Sequence, residues 1–559
     1  MKIGVYICEC GPNIAEKVDI DEVIKAVKPL DNVAVVERFK LLCSQDGKQF
    51  LADQIKKHEL THLVVAACSP REHQQTFMDV CEQEGLNPYL FQLANIREQC
   101  AWITDDKKEA TKKAIRLTKA AVARVQYHTP LEKQQIESNP DVLVIGGGIA
   151  GIQASLQLAG PERTIHLVEK ASSLGGLSQY YEKTFPDMKP CASFIKGLIE
   201  TVKNNPHINV YTNTEIEVIL GFFGNFEITV KQTTTPEATA AFEVGAVVVA
   251  TGATPFNPEH ISKYGYQKIE NVITALDFEQ MNLSGKITLK NGKPPKSVAI
   301  IHCVGREEKG YCSQICCMYS IKFIRYLQKK VPSTKIINFY TDLCIPGKSQ
   351  QHFYEQSLGN HVDFIRMSDL QITKQSDKIQ ITYSNEKDAS KKLSVDMVIL
   401  SPVLEPTQGL SSIIESTRIS QGEKGFLTEE HEKIAPVSTS TEGVFIAGCS
   451  HGPKSIEETM SQAEAVTGHI LTSLIPGQKI EPEVKVSHIS ESFCIGCKTC
   501  LNVCCYGAIT FDDLKKVSVV NEVICRGCGN CVAACPSGAI TLKHFTHNQV
   551  YHEVKEAVQ

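Results

Sequence analysis

Residues 141–151 read Asp-Val-Leu-Val-Ile-Gly-Gly-Gly-Ile-Ala-Gly. The first five form a short apolar run suited to a buried parallel strand. The rest carries a G-x-G-x-x-G at Gly146, Gly148 and Gly151, and a helical pattern continues to about Ala159. A second strand-like run, Thr164 to Val168, ends on Glu169, 18 residues after the last glycine. A G-x-G-x-x-G alone is weak evidence, but strand, glycine loop, helix, strand and acid in this order are the setting of a dinucleotide-binding βαβ unit. The glycines let a pyrophosphate approach the helix N-terminus, where N–H groups and the helix dipole favour an anion. Glu169 is then expected to accept from the ribose hydroxyls.

Three further segments resemble the thioredoxin-reductase-like flavoproteins, which points to FAD rather than NAD. Leu174-Gly175-Gly176-Leu177 resembles their continuation after the second strand. Gly245 to Ala250, then Thr251-Gly252, resembles the segment where the chain leaves the FAD domain for a second dinucleotide domain. Residues 441–448 resemble the second FAD motif, a strand end against the ribityl chain. The resemblance implies FAD contacts at Gly176, Thr251, Gly252 and Gly448. Those proteins have aspartate after the last glycine; Cys449 stands here, so a backbone contact is expected instead. An NAD-binding domain without flavin is the rival reading.

Ser297 to Ile301 again reads as the first strand of a βαβ unit. In a thioredoxin reductase an NADPH glycine loop would follow. Here the chain continues His302-Cys303-Val304-Gly305-Arg306, and then Cys312, Cys316 and Cys317 give C-x8-C-x3-C-C. Without the glycines a pyrophosphate has no close-packed seat. No C-x-x-C pair lies in either Rossmann-like segment, so no redox disulfide of that kind is expected. Cys303, Cys312, Cys316 and Cys317 are predicted to hold a [4Fe–4S] cluster, with packed metal-free thiols as the alternative. Adjacent Cys316 and Cys317 can both ligate only where the backbone turns sharply.

Towards the C-terminus, Cys494, Cys497, Cys500 and Cys504 read C-x2-C-x2-C-x3-C. Cys525, Cys528, Cys531 and Cys535 repeat the spacing 31 residues on, followed by Pro536. Three thiolates wrap three corners of a cubane, and in two-cluster ferredoxins the fourth binds the other cluster. The expected sets are therefore Cys494, Cys497, Cys500 and Cys535, and Cys525, Cys528, Cys531 and Cys504. Gly496 and Gly527 are expected to let the backbone approach the sulfides. Residues 484–545 resemble a two-cluster bacterial ferredoxin. Cys505 stands where the first motif would have proline and reads as a spare thiol. Zinc knuckles, the alternative, use separated ligand pairs rather than a compact run of four cysteines.

The chain has 22 cysteines in 559 residues, most at short repeated spacings. The opening MKIGVYICECG runs straight into a strand-like pattern, and no signal peptide is expected. Clustered thiols then point to metal ligands in a reducing cytoplasm, not to disulfides. A net charge of −5 with no long basic run argues against nucleic-acid binding. No apolar stretch reaches the ~18–20 residues of a membrane span.

In the N-terminal region, Ile3 to Ile7 leads to Cys8-Glu9-Cys10, Val33 to Val36 precedes Cys43, and His62 to Ala67 leads to Cys68. The C-terminal ends of parallel strands share one ligand-binding edge. Cys10, Cys43, Cys68 and Cys100 are the expected ligands of a further [4Fe–4S] cluster, with Cys8 the rival for Cys10. Cys81 reads as buried packing, and the role of Cys191 is open. A charged helix, about Lys107 to Gln126, is expected to link this region to the flavoprotein.

A thioredoxin-reductase-type flavoprotein with C-x(n)-C-x3-C-C in its second domain and a ferredoxin pair resembles the A-type polypeptide of heterodisulfide reductase. Ala67-Cys68-Ser69-Pro70-Arg71, Ala94 to Cys100 and Gly452-Pro453-Lys454-Ser455-Ile456 fit that family. A third C-x2-C-x2-C run, which some members insert in the flavin domain, is missing between 170 and 300. The implied fold is α/β: an N-terminal parallel α/β domain (1–138), an FAD-binding Rossmann domain (139–296 and 403–478), a second Rossmann-like domain carrying a cluster (297–402) and a small α+β ferredoxin domain (479–559). The implied function is an FAD and iron–sulfur electron-transfer oxidoreductase subunit, with flavin-based bifurcation in some members. Lys454 is the candidate for tuning the flavin. The implied partners are heterodisulfide-reductase B- and C-type subunits, ferredoxin, and a hydrogenase or formate dehydrogenase module, in a homo-oligomer within a larger cytoplasmic complex. An NAD(P)H-dependent iron–sulfur flavoprotein reductase is one alternative. A non-bifurcating relay in a quinone-linked or sulfur-metabolising complex is the other.

Overall fold

Short β-branched runs alternating with amphipathic helices build three parallel sheets whose central strands are buried on both faces. The computed structural model describes residues 1–235, 238–385 and 390–559. It divides into two units, residues 1–136 with 481–559, and residues 137–480.

The first unit begins with a four-stranded parallel sheet of β1 (Ile3–Cys8), β2 (Val33–Phe39), β3 (His62–Ala67) and β4 (Phe91–Asn95), in the order β2-β1-β3-β4. Its two faces pack separate cores. Ile3, Val5 and Ile7 face Val64, Ala66 and the helix α1 (Lys107–Val125), while Tyr6 and Cys8 face Leu51, Leu63 and Phe77. The helix expected to be a connector is thus a core helix, burying Ala110, Ala114, Ala121 and Val125.

In the second unit, β5 (Val142–Ile145), β6 (Ile165–Val168), β7 (Ile208–Tyr211) and β8 (Ala246–Val249) are joined by β9 (Val444–Ile446), which comes from far along the chain. The sheet order is β9-β8-β5-β6-β7, all parallel. The chain therefore returns to this sheet where the second FAD motif was read. Between β8 and β9 it forms a second five-stranded parallel sheet, made of Val272–Thr274, Met397–Pro402, Ser297–Val304, Lys335–Tyr340 and Val362–Arg366 in that spatial order.

Residues 481–559 complete the first unit with two antiparallel strand pairs, two five-residue helices (Thr499–Val503 and Asn530–Ala534) and the helix His547–Val558. That last helix lies along α1. Arg124 pairs with Glu553, Tyr127 stacks on His552, and His128 stacks on His544 with ring centroids 4.4 Å apart. Among the described residues no helix is long and apolar enough to cross a membrane.

Candidate functional site

The glycine loop lies at the C-terminal end of β5, and the helix Ile149–Leu158 starts within it. Gly146 has φ 109°, and a Cβ there would lie 2.4 Å from the Ala250 carbonyl oxygen. A Cβ on Gly151 would lie 1.9 Å from the Gly146 carbonyl oxygen, whereas one on Gly148 would meet nothing within 4 Å. Two glycines thus close the turn, and the third leaves room for a ligand. Glu169 accepts from Gly147 N at 2.7 Å and from Ala171 N at 2.8 Å, so its carboxylate also ties the loop to β6.

A cavity of about 390 Å³ opens from this loop. Gly146, Gly148, Glu169, Gly176, Thr251, Gly252, Cys449 and Lys454 line it; Gly151 and Gly448 do not. The Thr251 hydroxyl is buried without a protein partner. An orphaned hydroxyl, an open glycine and a helix N-terminus fit the phosphate and ribityl parts of FAD. Gly448 is fixed by a relay: its N–H donates to Gln462 Oε1 at 2.8 Å, Gln462 Nε2 donates to His451 Nδ1 at 3.0 Å, and His451 Nε2 meets Glu429 at 2.5 Å. Burial pushes the Lys454 ammonium below its ordinary range, against the pull of Cys449, Glu458 and Glu429.

The far wall holds an ion pair absent from the sequence reading. Lys322 Nζ lies 2.5 Å from Glu279, with side chains 3% and 2% exposed, and both residues line the cavity. Lys322 also donates to the Lys183 carbonyl at 3.0 Å and lies over the Tyr181 ring at 5.2 Å. A pair so buried persists only with such extra partners. A charged residue in the apolar pattern of a helix was the available signal.

Lys322 belongs to the helix Cys316–Lys330, and its first turn carries the cysteine motif. Cys303, at the end of its strand, has φ 60°. The Cys316 thiol sits between Cys312 and Cys317, hydrogen-bonded to both. These bonds pull Cys312 and Cys317 below the ordinary thiol range and hold Cys316 well above it. The four thiols of the motif thus lie in one neighbourhood, with Arg306 beside Cys303 and Cys312. A fifth, Cys344, joins them: its N–H donates to Cys317 Sγ at 3.4 Å. Lying 27 residues on in another loop, it had no spacing to betray it. Ile315 and Tyr319, from this same turn, line the flavin cavity.

In the ferredoxin region the cross-paired sets come together. Cys494, Cys497, Cys500 and Cys535 line one small cavity, and Cys504, Cys525, Cys528 and Cys531 line another. Among the described residues no three Cys, His, Asp or Glu side chains meet at single-ion distances. Buried Ser518 and Ser487 hydroxyls reach Cys500 and Cys531, each at 3.3 Å. Gly496 and Gly527 face protein rather than cavity. Their Cβ atoms would lie 2.7 and 2.3 Å from the Lys516 and Lys485 carbonyl oxygens.

In the N-terminal sheet, Cys8, Cys10, Cys43 and Cys68 share one core. Cys8 is raised by burial, with Cys10 and Cys43 near enough to add to the shift. Cys68 is pushed up to about 11 by burial, with Cys43 nearby. Arg97 Nη1 donates to Cys10 Sγ at 3.5 Å. Cys100 is set apart in the core of the opposite sheet face, and its thiol donates to the Ala110 carbonyl at 2.9 Å. Cys8 therefore shares a core with Cys43 and Cys68, Cys100 lies in the other core, and Cys10 packs against both. Cys191 is buried and donates to the Ser178 carbonyl at 3.4 Å.

Residues 140–463 match the family model of pyridine nucleotide-disulphide oxidoreductases, and residues 493–551 match that of 4Fe-4S dicluster domains. The chain is 33% identical to the second form of the iron-sulfur A-type polypeptide of CoB–CoM heterodisulfide reductase from Methanopyrus kandleri, over 91% of both chains. It is also 33% identical to the A-type polypeptide of the H2:CoB-CoM heterodisulfide,ferredoxin reductase of Methanothermobacter thermautotrophicus, over 92% of this chain and 91% of that one. A solved thioredoxin reductase of T. acidophilum aligns with 60% of this chain and 99% of its own at 16% identity, with a TM-score of 0.43. The flavin domain binds FAD and the ferredoxin domain carries [4Fe–4S] clusters. The chain belongs to the A-type family of heterodisulfide reductase polypeptides, electron-transferring oxidoreductases that join a flavin domain to iron–sulfur domains.

Proposed function

We propose that this chain is an electron-distributing hub of a cytoplasmic heterodisulfide-reductase-type complex, homo-oligomeric and working with B- and C-type subunits. A ferredoxin and a hydrogenase or formate dehydrogenase module are the further partners, and flavin-based bifurcation is the mode of coupling. The observation that carries the reading is the shared wall: Ile315 and Tyr319 line the flavin cavity from the turn that bears Cys312, Cys316 and Cys317. Bound FAD supplies the exchange between electron pairs and single electrons. The protein's part is to hold that cavity beside the thiols and to set its charge, through Lys322, Glu279 and Lys454. The proposed ligand sets are the two ferredoxin sets, Cys303 with Cys312, Cys316 and Cys317, and a set around Cys43 and Cys68. In that last set Cys8 and Cys10 fill the remaining places, and Cys100, the fourth ligand expected from the sequence, does not.

The test is iron and FAD content per chain after anaerobic purification, with an NADPH titration of the same sample. About sixteen iron, four per cubane, one FAD and no bleaching by NADPH are expected. About eight iron with rapid bleaching would instead make the chain a pyridine-nucleotide reductase with only the ferredoxin pair.

A further inference from the structure

The turn after β9 is tied to the protein through groups whose protons have one possible arrangement. A Cβ on Gly448 would lie 3.0 Å from the Ala150 Cβ and 3.1 Å from Thr459, so the turn is wedged between the helices Ile149–Leu158 and Ile456–Ser473. Cys449 and Lys454, from the same turn, line the flavin cavity. The backbone N–H of Gly448 can only donate, so Gln462 meets it with Oε1, at 2.8 Å. Gln462 is left with its Nε2–H to offer His451 Nδ1, 3.0 Å away. Nδ1 must therefore accept, and the ring carries its one proton on Nε2, facing Glu429 at 2.5 Å. A second proton on the ring would set donor against donor at Nδ1. Turning the Gln462 amide over removes that clash and creates the same one at Gly448. No orientation of Gln462 satisfies Gly448 and a doubly protonated His451 together.

We propose that His451 is a positioning residue for FAD: its neutral ring, protonated on Nε2, holds the Gly448 turn at the cavity, and a second proton frees the turn and loosens the flavin. Among the described residues the charged groups acting on the ring are Glu429 and, from its own turn, Lys454; the helix Ile456–Ser473 presents the uncharged Gln462. Burial, and after it the Lys454 ammonium, hold the ring below the ordinary histidine range, and Glu429 opposes them. A ring that resists its second proton in the flavin-holding state favours that state fully above the ordinary histidine value of 6.5. That contribution is lost as pH falls below it. The role requires FAD in this cavity and no particular partner subunit.

The test follows FAD release from the anaerobically purified full chain, by the rise in flavin fluorescence after dilution, from about pH 8 to about pH 5. The wild type should release FAD about tenfold faster at the acid end, the consequence of one buried donor losing its acceptor. His451→Gln offers one acceptor and one donor, as the neutral ring does, but takes up no proton. Its release should stay slow across the range. Glu429→Gln removes the group that favours the second proton, so its release should quicken only at lower pH than in the wild type. A wild-type rate that does not change with pH would overturn the proposal, and that measurement needs no variant. So would an acid-induced rise that persists undiminished in His451→Gln, or one that moves to higher pH in Glu429→Gln.

Discussion

The two Rossmann-like sheets of residues 137–480 use the same strand edge in opposite ways. In the first, three residues separate β5 from its helix, and all three are glycine. The helix N-terminus is thereby presented to an anion at once. In the second, the strand ends at Val304 and the long helix starts only at Cys316. The intervening residues include Arg306 and Cys312, and Cys303 sits in the strand's last turn of chain. A parallel sheet fixes where a ligand sits, and the residues of the first crossover decide which ligand it is.

The largest effects test that division directly. Gly151→Val would place a side chain on the Gly146 carbonyl, so flavin content should fall at least ~10-fold, the consequence of roughly 1.4 kcal/mol or more of lost binding. Cys316→Ser should do the reverse, removing about four iron while leaving the flavin absorbance band in place. Loss of both cofactors in either variant, by absorbance and iron assay, would mean that the two edges do not act independently.

A smaller effect concerns the wall between them. Lys322→Met alone should cost about 3–5 kcal/mol, because it strands the Glu279 carboxylate in an apolar site. Lys322→Met with Glu279→Leu should recover most of that stability in denaturant titrations while shifting the flavin midpoint potential. A double variant as unstable as the single one would show that the pair holds the fold together. The smallest effect is at Lys454. Removing one half-buried ammonium, taken as about 1 kcal/mol, should lower the two-electron flavin potential of Lys454→Ala by about 20 mV. An unchanged potential would dismiss the tuning role and leave the second-domain wall as the source of charge at the cavity.

Much of this was legible because the deciding signals are local. The glycine loop, its acid and the repeated cysteine spacings are short patterns whose geometry follows from their own backbone. Long-range placement was not. Cys100 follows β4 in a wide helical turn (Arg97–Ala101), and nothing in the sequence says which sheet face that turn delivers it to. Cys8 lies within β1, and its period-two alternation with Tyr6 could have assigned it to the face of Cys43 and Cys68. Cys344 and the Lys322–Glu279 pair depend on contacts between separate loops and helices. The glycines of the ferredoxin motifs were read toward the ligand, but the adjacent backbone is what excludes a side chain there.

The first unit is assembled from two stretches of chain, and residues 137 to 480 lie between them. A ribosome adding ~5–20 residues per second needs about 20–70 s to cross that interval. Throughout that time Arg124, Tyr127 and His128 lack Glu553, His552 and His544. A part made before the flavoprotein is thus finished only after it, and the intervening residues have emerged before that unit closes.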